Sequence, residues 1–259
     1  PQWQRHLGQS DEIAIINILN PDGTLTGTGT LGASVGTIFN EEFFLDGSTT
    51  VRAYPTRVGT GRDWTSVTAG GFHTCGTRAD GTAWCWGQNI FGQLGNTDLA
   101  PHPSPVRVGT LATWVQLSAG WAHTCGVTTD GAASCWGLNN RGQLGDGSRD
   151  LRRSPEPVSG DRIWTSISTG DASTCGLDNT GSAYCWGSNR YRQLGDGSSE
   201  TQMVPILVSS EHSWLSVDAG WFHVCGGLDT GDTACWGNNE VGQVGNGTQV
   251  DQPVPEEVR

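Results

Sequence analysis

Eight cysteines set the frame of this chain. They stand at Cys75, Cys85, Cys125, Cys135, Cys175, Cys185, Cys225 and Cys235, so each pair encloses nine residues and successive pairs are offset by 50. A register kept without slippage over four pairs is an internal repeat. A period near fifty, with several short strand-like stretches in each unit, predicts blades of a β-propeller. The rest of the sequence keeps the step. Trp64, Trp114, Trp164 and Trp214 recur, and so do Trp86, Trp136, Trp186 and Trp236, each directly after the second cysteine and before a glycine. Pro55, Pro105, Pro155, Pro205 and Pro255 share a register as well. A large aromatic repeated in every unit belongs in the core, and the Cys-Trp-Gly tryptophans are expected to wedge between neighbouring blades.

The second unit shows what each pair does. Residues 117–127 and 132–137 flank Thr129-Asp130-Gly131. A three-residue hairpin loop with glycine in the left-handed region sets Cys125 directly opposite Cys135. Opposed Cβ atoms then lie roughly 4.5–5.5 Å apart, close to disulfide geometry. The other units share the spacing and the glycine, at Gly81, Gly181 and Gly231. Two other readings compete: buried free thiols, and a metal site completed by His73, His123 and His223, each two residues before a cysteine. The third unit has Ser173 in the histidine position yet keeps Cys175 and Cys185. Nine residues is also not the short spacing of zinc sites. Disulfides are therefore favoured, with no metal and no cofactor expected. Each short-loop disulfide would add about 2–3 kcal/mol. Four of them imply an oxidising location: extracellular, cell-surface or periplasmic.

Residues 45–259 carry the four regular repeats, beginning with the tail of a preceding unit, where Asp46-Gly47-Ser48 matches Asp146-Gly147-Ser148. Residues 1–44 fit less well. They read either as a degenerate first repeat forming one closed domain with 45–259, or as an N-terminal extension. In the first case Trp3 opens the unit, and residues 13–19 and 24–29 form strands about the turn Asn20-Pro21-Asp22-Gly23. The closing segment Pro255-Glu256-Glu257-Val258-Arg259 leads, in circular order, to Trp3. The expected fold is all-β, a β-propeller of about five blades; the alternative is part of a six- or seven-bladed ring.

Composition removes several functions. Fourteen basic residues, all arginine, face 26 acidic ones, for a formal charge of −12. A nucleic-acid binder needs a basic face, so none is expected. Without lysine there is no Schiff-base chemistry and no P-loop lysine. The longest apolar run, Ile13 to Leu19, is broken by Asn17 and is too short to span a bilayer, so no membrane insertion is expected. Asp171, Ser173 and His123 invite a triad across neighbouring blades, but Ser173 fills a slot of a repeated scaffold and lacks a nucleophile-elbow motif. A non-enzyme is expected.

Internal comparison separates scaffold from variable positions. The three residues after the Ala/Thr-Gly step differ between units: Gly71-Phe72-His73, Trp121-Ala122-His123, Asp171-Ala172-Ser173 and Trp221-Phe222-His223. Stacked units place equivalent positions in a circle on one face. The candidate binding residues are Phe72, His73, Trp121, His123, Asp171, Trp221, Phe222 and His223, since tryptophan-rich patches are common hot spots. A second variable set follows Trp-Gly: Gln88, Ile90 and Phe91; Leu138, Asn140 and Arg141; Ser188, Arg190 and Tyr191; Asn238, Glu240 and Val241. These read as loop surface that varies freely.

The unit as a whole, in Ala119-Gly120-Trp121-Ala122-His123-Thr124, Asp130-Gly131, Trp136-Gly137-Leu138-Asn139 and Gly142-Gln143-Leu144-Gly145, resembles the regulator of chromosome condensation repeat, a β-propeller family. The resemblance covers residues 45–259 well and 1–44 poorly. It implies a ring that in the family commonly has seven blades. The cysteine pair is absent from the eukaryotic founding members and is similar to bacterial, exported ones. Functions in the family diverge. The founding member is a nucleotide exchange factor docked on chromatin. A plant ultraviolet-B photoreceptor clusters tryptophans through Gly-Trp-Arg-His-Thr units, whose arginine is missing from Gly120-Trp121-Ala122-His123-Thr124 and from Gly220-Trp221-Phe222-His223-Val224. A bacterial secreted β-lactamase inhibitor binds its enzyme with residues just after the Ala-Gly step. Fold alone does not give function. The resemblance and the aromatic-histidine face together lead to the expectation of a non-enzymatic extracellular protein-binding module. The alternatives are a self-assembling structural subunit of a surface or appendage and a glycan-binding propeller.

Overall fold

The computed structural model describes residues 15–19, 25–30, 63–110, 113–209 and 213–258. It begins with an antiparallel pair, β1 (Ile15–Leu19) and β2 (Leu25–Thr30). Four blades follow, each a four-stranded antiparallel sheet in chain order. The first has β3 (Trp64–Ala69), β4 (His73–Arg78), β5 (Ala83–Gly87) and β6 (His102–Arg107). The second has β7 (Trp114–Ala119), β8 (His123–Thr128), β9 (Ala133–Gly137) and β10 (Arg152–Pro157). The third has β11 (Trp164–Thr169), β12 (Ser173–Asp178), β13 (Ala183–Gly187) and β14 (Gln202–Leu207). The fourth has β15 (Trp214–Ala219), β16 (His223–Leu228), β17 (Thr233–Gly237) and β18 (Gln252–Glu257). The all-β blade architecture is as expected from the period. No helix among the described residues is long and apolar enough to cross a membrane.

The first strands of successive blades, β3, β7, β11 and β15, lie side by side and form the inner wall. Side chains lace them together. Gln116 Nε2 donates to the Ile167 carbonyl at 3.1 Å while the Ile167 N–H donates to Gln116 Oε1 at 3.0 Å. The N–H groups of Ala119, Thr169 and Ala219 donate to Thr68 Oγ1, Ser118 Oγ and Ser168 Oγ of the preceding blade. Pro105, Pro155, Pro205 and Pro255 all fall in the outermost strands. There an edge leaves the missing N–H without a ladder partner to lose.

The two middle strands of each blade make the hairpin the cysteines announced. Cys75 pairs across from Cys85, Cys125 from Cys135, Cys175 from Cys185 and Cys225 from Cys235. All four are disulfides, and no described cysteine is free. The thiol and metal readings fall with that, because a disulfide sulfur is no thiolate ligand. Gly131 closes its hairpin at φ +80°, the left-handed position of a three-residue loop.

The Cys-Trp-Gly tryptophans are buried in all four blades. Each meets the tryptophan that opens its own blade, with ring centroids 5.6 Å apart for Trp114 and Trp136. Each of the last three also reaches into the preceding blade. Trp136, Trp186 and Trp236 donate Nε1–H to the carbonyls of Gln93, Gln143 and Gln193, all at 3.0 Å. A Cβ on Gly145 would stand 2.6 Å from Trp186 Nε1. The glycine of Gln-Leu-Gly is thus the seat of the next blade's wedge.

The strands expected within residues 13–19 and 24–29 correspond to β1 and β2. Shifted by 50, β1 falls on the register of β3, and β2 lies against β3 as β4 lies against β7. Trp3, the Asn20–Gly23 turn and Asp46-Gly47-Ser48 lie outside the described residues.

Candidate binding face

Two loops of every blade meet on one face of the ring. One is the tight turn between the first two strands, at residues 70–72 in the first blade. The other is the long connection from the third strand to the fourth, residues 88–101 there. Backbone bonds tie them: the N–H groups of Gln88, Leu138, Ser188 and Asn238 donate to the carbonyls of Phe72, Ala122, Ala172 and Phe222 at 2.8–2.9 Å. Buried Asn139 organises the long loop, donating to Asp146 Oδ1 and accepting from the Leu144 N–H. Gln93 Oε1 and Gln193 Oε1 accept from the N–H groups of Phe91 and Tyr191 at 3.0 and 2.9 Å. The turns of neighbouring blades touch directly, with Gly71 N–H on the Gly120 carbonyl at 3.1 Å and Trp121 N–H on the Gly170 carbonyl at 3.3 Å.

This frame displays two aromatic clusters. On the first and second blades, Phe72 and Phe91 flank Trp121, with centroids 6.2 and 6.3 Å from it. On the third and fourth, Phe222 packs on Tyr191 at 4.7 Å and on Trp221 at 6.0 Å. Phe72 is exposed, and Phe91, Trp121, Tyr191, Trp221 and Phe222 are half-buried. Phe91 and Tyr191 belong to the set read as free loop surface; they are part of the clusters. The available signal was an aromatic held two residues before a recurring glutamine, in the register where the other units carry Arg141 and Val241.

The histidines behave differently from the aromatics. His73 and His123 are 3% and 0% exposed and offer nothing to a partner. His73 Nε2 lies 2.8 Å from Thr124 Oγ1, and His123 Nε2 lies 3.0 Å from Thr174 Oγ1, each in the next blade. Each threonine hydroxyl donates its hydrogen to a glutamine carbonyl, Gln93 or Gln143, at 2.8 Å. It must therefore accept from the imidazole, which fixes the Nε2–H tautomer. Burial pushes both imidazoles down to about 3, so they are neutral struts between blades. Each ring folds back on the glycine of its own Ala-Gly step: a Cβ on Gly120 would stand 2.6 Å from His123 Cε1. His223, in the last described blade, is half-buried; burial lowers its pKa and the Asp218 charge partly offsets this.

The third and fourth blades meet without that strut. Ser173 takes the histidine slot and Val224 the threonine slot. Ser173 is 1% exposed and its Oγ has no hydrogen-bond partner among the described residues. With His123 Nε2 engaged on Thr174, Ser173 and His123 form no catalytic relay. Asp171 remains on the face between Trp121 and Trp221, half-buried, and burial raises its carboxyl above the ordinary range. No three His, Cys, Asp or Glu side chains converge as a metal site among the described residues.

Residues 80–127, 130–177 and 180–226 match the Regulator of chromosome condensation (RCC1) repeat, and residues 64–93, 114–143 and 164–193 match a second description of the same repeat. No curated protein matches the chain. Among solved structures, human WBSCR16 superposes with a TM-score of 0.73 at 20% identity, over 90% of this chain and 62% of that one. Yeast RCC1 (Prp20), solved with Kap60 bound, gives 0.73 at 22% identity, over 84% and 54%. Prp20p from Saccharomyces cerevisiae, described with its binding properties to Gsp1p and histones, gives 0.74 at 21% identity, over 95% and 58%. The chain thus spans 54–62% of the length of these structures. At such identities the likeness establishes the propeller fold.

Proposed function

The chain belongs to the regulator of chromosome condensation (RCC1) repeat family, and from that premise we propose that it is a non-enzymatic, extracellular protein-binding module whose contact surface is the aromatic face. One observation carries the reading: two aromatic clusters stand on the same face of a repeated scaffold. Rigid, half-exposed tryptophan and phenylalanine with little entropy left to lose are the usual anchors of protein interfaces. Protein binding is also what is described for yeast Prp20, bound to Kap60 in one structure and characterised with Gsp1p and histones in the other. The acidic surface and the absence of lysine speak against a chromatin-type role here. The four disulfides support a location outside the reducing cytosol.

The test is Trp121→Ala and Trp221→Ala. Each variant should lose capture of the partner from native culture fluid while its circular dichroism and melting temperature match wild type. Variants that retain the same proteins as wild type would refute this face.

A further inference from the structure

Resting on the protein-binding reading of this face, we propose that its centre receives a basic side chain, an arginine or lysine of the partner, held by the Asp171 carboxylate between the indoles of Trp121 and Trp221. The three residues occupy the same slot on successive blades. The blade turns that carry them are in direct backbone contact. Trp121 N–H donates to the Gly170 carbonyl, and Gly170 packs so closely on the Gly220 carbonyl that a Cβ there would collide with it. Indole, carboxylate and indole therefore follow one another around the ring. In the first blade the slot is Gly71, against which the Trp121 indole packs: a Cβ there would stand 2.7 Å from Trp121 Cδ1.

Asp171 is the odd member of that circle. A half-buried carboxylate normally has a hydrogen-bond donor or a cation beside it, because desolvating the charge is costly. Asp171 has neither among the described residues, and burial alone acts on its carboxyl. The second blade's long loop offers Arg141, in the slot that Phe91 and Tyr191 fill elsewhere, but its side chain is exposed and does nothing to lower Asp171. The vacant role is that of a cation supplied from outside. A guanidinium suits it best: it can take the carboxylate through two N–H donors and lay its flat face on an indole. An anion would be repelled, and a sugar could donate a hydroxyl to the carboxylate but brings no opposite charge, so a guanidinium is the fuller match. A chain with a net charge of −12 also favours encounter with a basic surface.

The probe is the peptide Gly-Gly-Arg-Gly-Gly, capped at both ends, against the same peptide with citrulline, which keeps the shape and removes the charge. Binding is read from the indole N–H resonances of Trp121 and Trp221, assigned with Trp121→Phe and Trp221→Phe. The arginine peptide should shift both resonances saturably. The citrulline peptide, and the arginine peptide on Asp171→Asn, should bind at least about fivefold more weakly. Equal binding of the two peptides to the wild-type protein overturns the proposal without any variant having to fold. Equal binding to wild type and Asp171→Asn overturns it as well. If Trp121→Ala and Trp221→Ala abolish partner capture while Asp171→Asn captures as wild type does, the face binds protein by apolar contact and only the basic side chain is refuted.

Discussion

The junction between the third and fourth blades is a natural variant of the two before it, and it can be transplanted. At the first junction His73 Nε2–H donates to Thr124 Oγ1, which donates to the Gln93 carbonyl, which also takes Trp136 Nε1–H. At the third, Ser173 and Val224 leave only Trp236 on the Gln193 carbonyl. Thr124→Val alone keeps the shape but strands a buried imidazole N–H, at a cost of about 1–3 kcal/mol. His73→Ser alone removes a buried ring and leaves a cavity, costing about 2 kcal/mol or more. The double variant His73→Ser/Thr124→Val recreates the pairing that the fold already carries at the third junction. Once the imidazole is gone, the valine strands no ring N–H and leaves only a serine hydroxyl of the kind Ser173 already carries, so the two costs should fall short of additivity by about 1–2 kcal/mol. Urea unfolding of the oxidised proteins, followed by tryptophan fluorescence, measures the cycle. The pH dependence supplies a second arm. Both buried histidines have folded-state pKa values of about 3, against an ordinary value of 6.5. Below the ordinary value the unfolded chain binds protons that the folded one refuses. Their contribution is complete above the ordinary value and is lost as pH falls toward about 3. The slope is about 1.4 kcal/mol per pH unit for each histidine. The double variant should have one such slope fewer. Additive costs together with parallel pH profiles of wild type and double variant between about pH 4 and 6 would refute the strut.

Cys125→Ser/Cys135→Ser should lower stability by about 2–3 kcal/mol, from the lost closure of one short loop, and an unchanged urea midpoint would contradict that origin. Gly247→Ala, where φ is +80° and nothing among the described residues lies within 4 Å of the added Cβ, should cost about 1 kcal/mol from backbone strain. Gly145→Ala, at φ +70°, adds a collision with the Trp186 indole and should cost about 1–3 kcal/mol more; equal melting temperatures for the two would deny that the glycine seats the wedge. Arg192 holds φ +62° in a slot that is Gly92, Gly142 and Gly242 in the other blades. Arg192→Gly should stabilise by about 0.5–1 kcal/mol in thermal unfolding, and a loss of stability would mean that the arginine side chain contributes more than its backbone costs.

What the sequence determined by itself is everything that is local or repeated. Cys125 and Cys135 are joined by a hairpin whose loop length sets their register, so the disulfide follows from nine intervening residues and a glycine. The wedge tryptophans and the blade architecture follow from the fifty-residue step, because a unit that cannot bury both its faces must stack on its own kind. Tertiary structure decided which variable residues reach the surface. Every position of β8 and β12 is buried, so period-two alternation carries no inside and outside there. The sequence therefore does not separate His123 from Trp121; Thr174, 51 residues away, does so by engaging the His123 Nε2. Phe91 and Tyr191 were hidden by the same gap in reverse. They stand on loops that vary in sequence, and only the glutamine-held backbone and the neighbouring blade's turn bring them against Trp121 and Phe222. Asp171 was legible as a member of the circle. That no cation stands beside it among the described residues is decided by tertiary packing, which no spacing encodes.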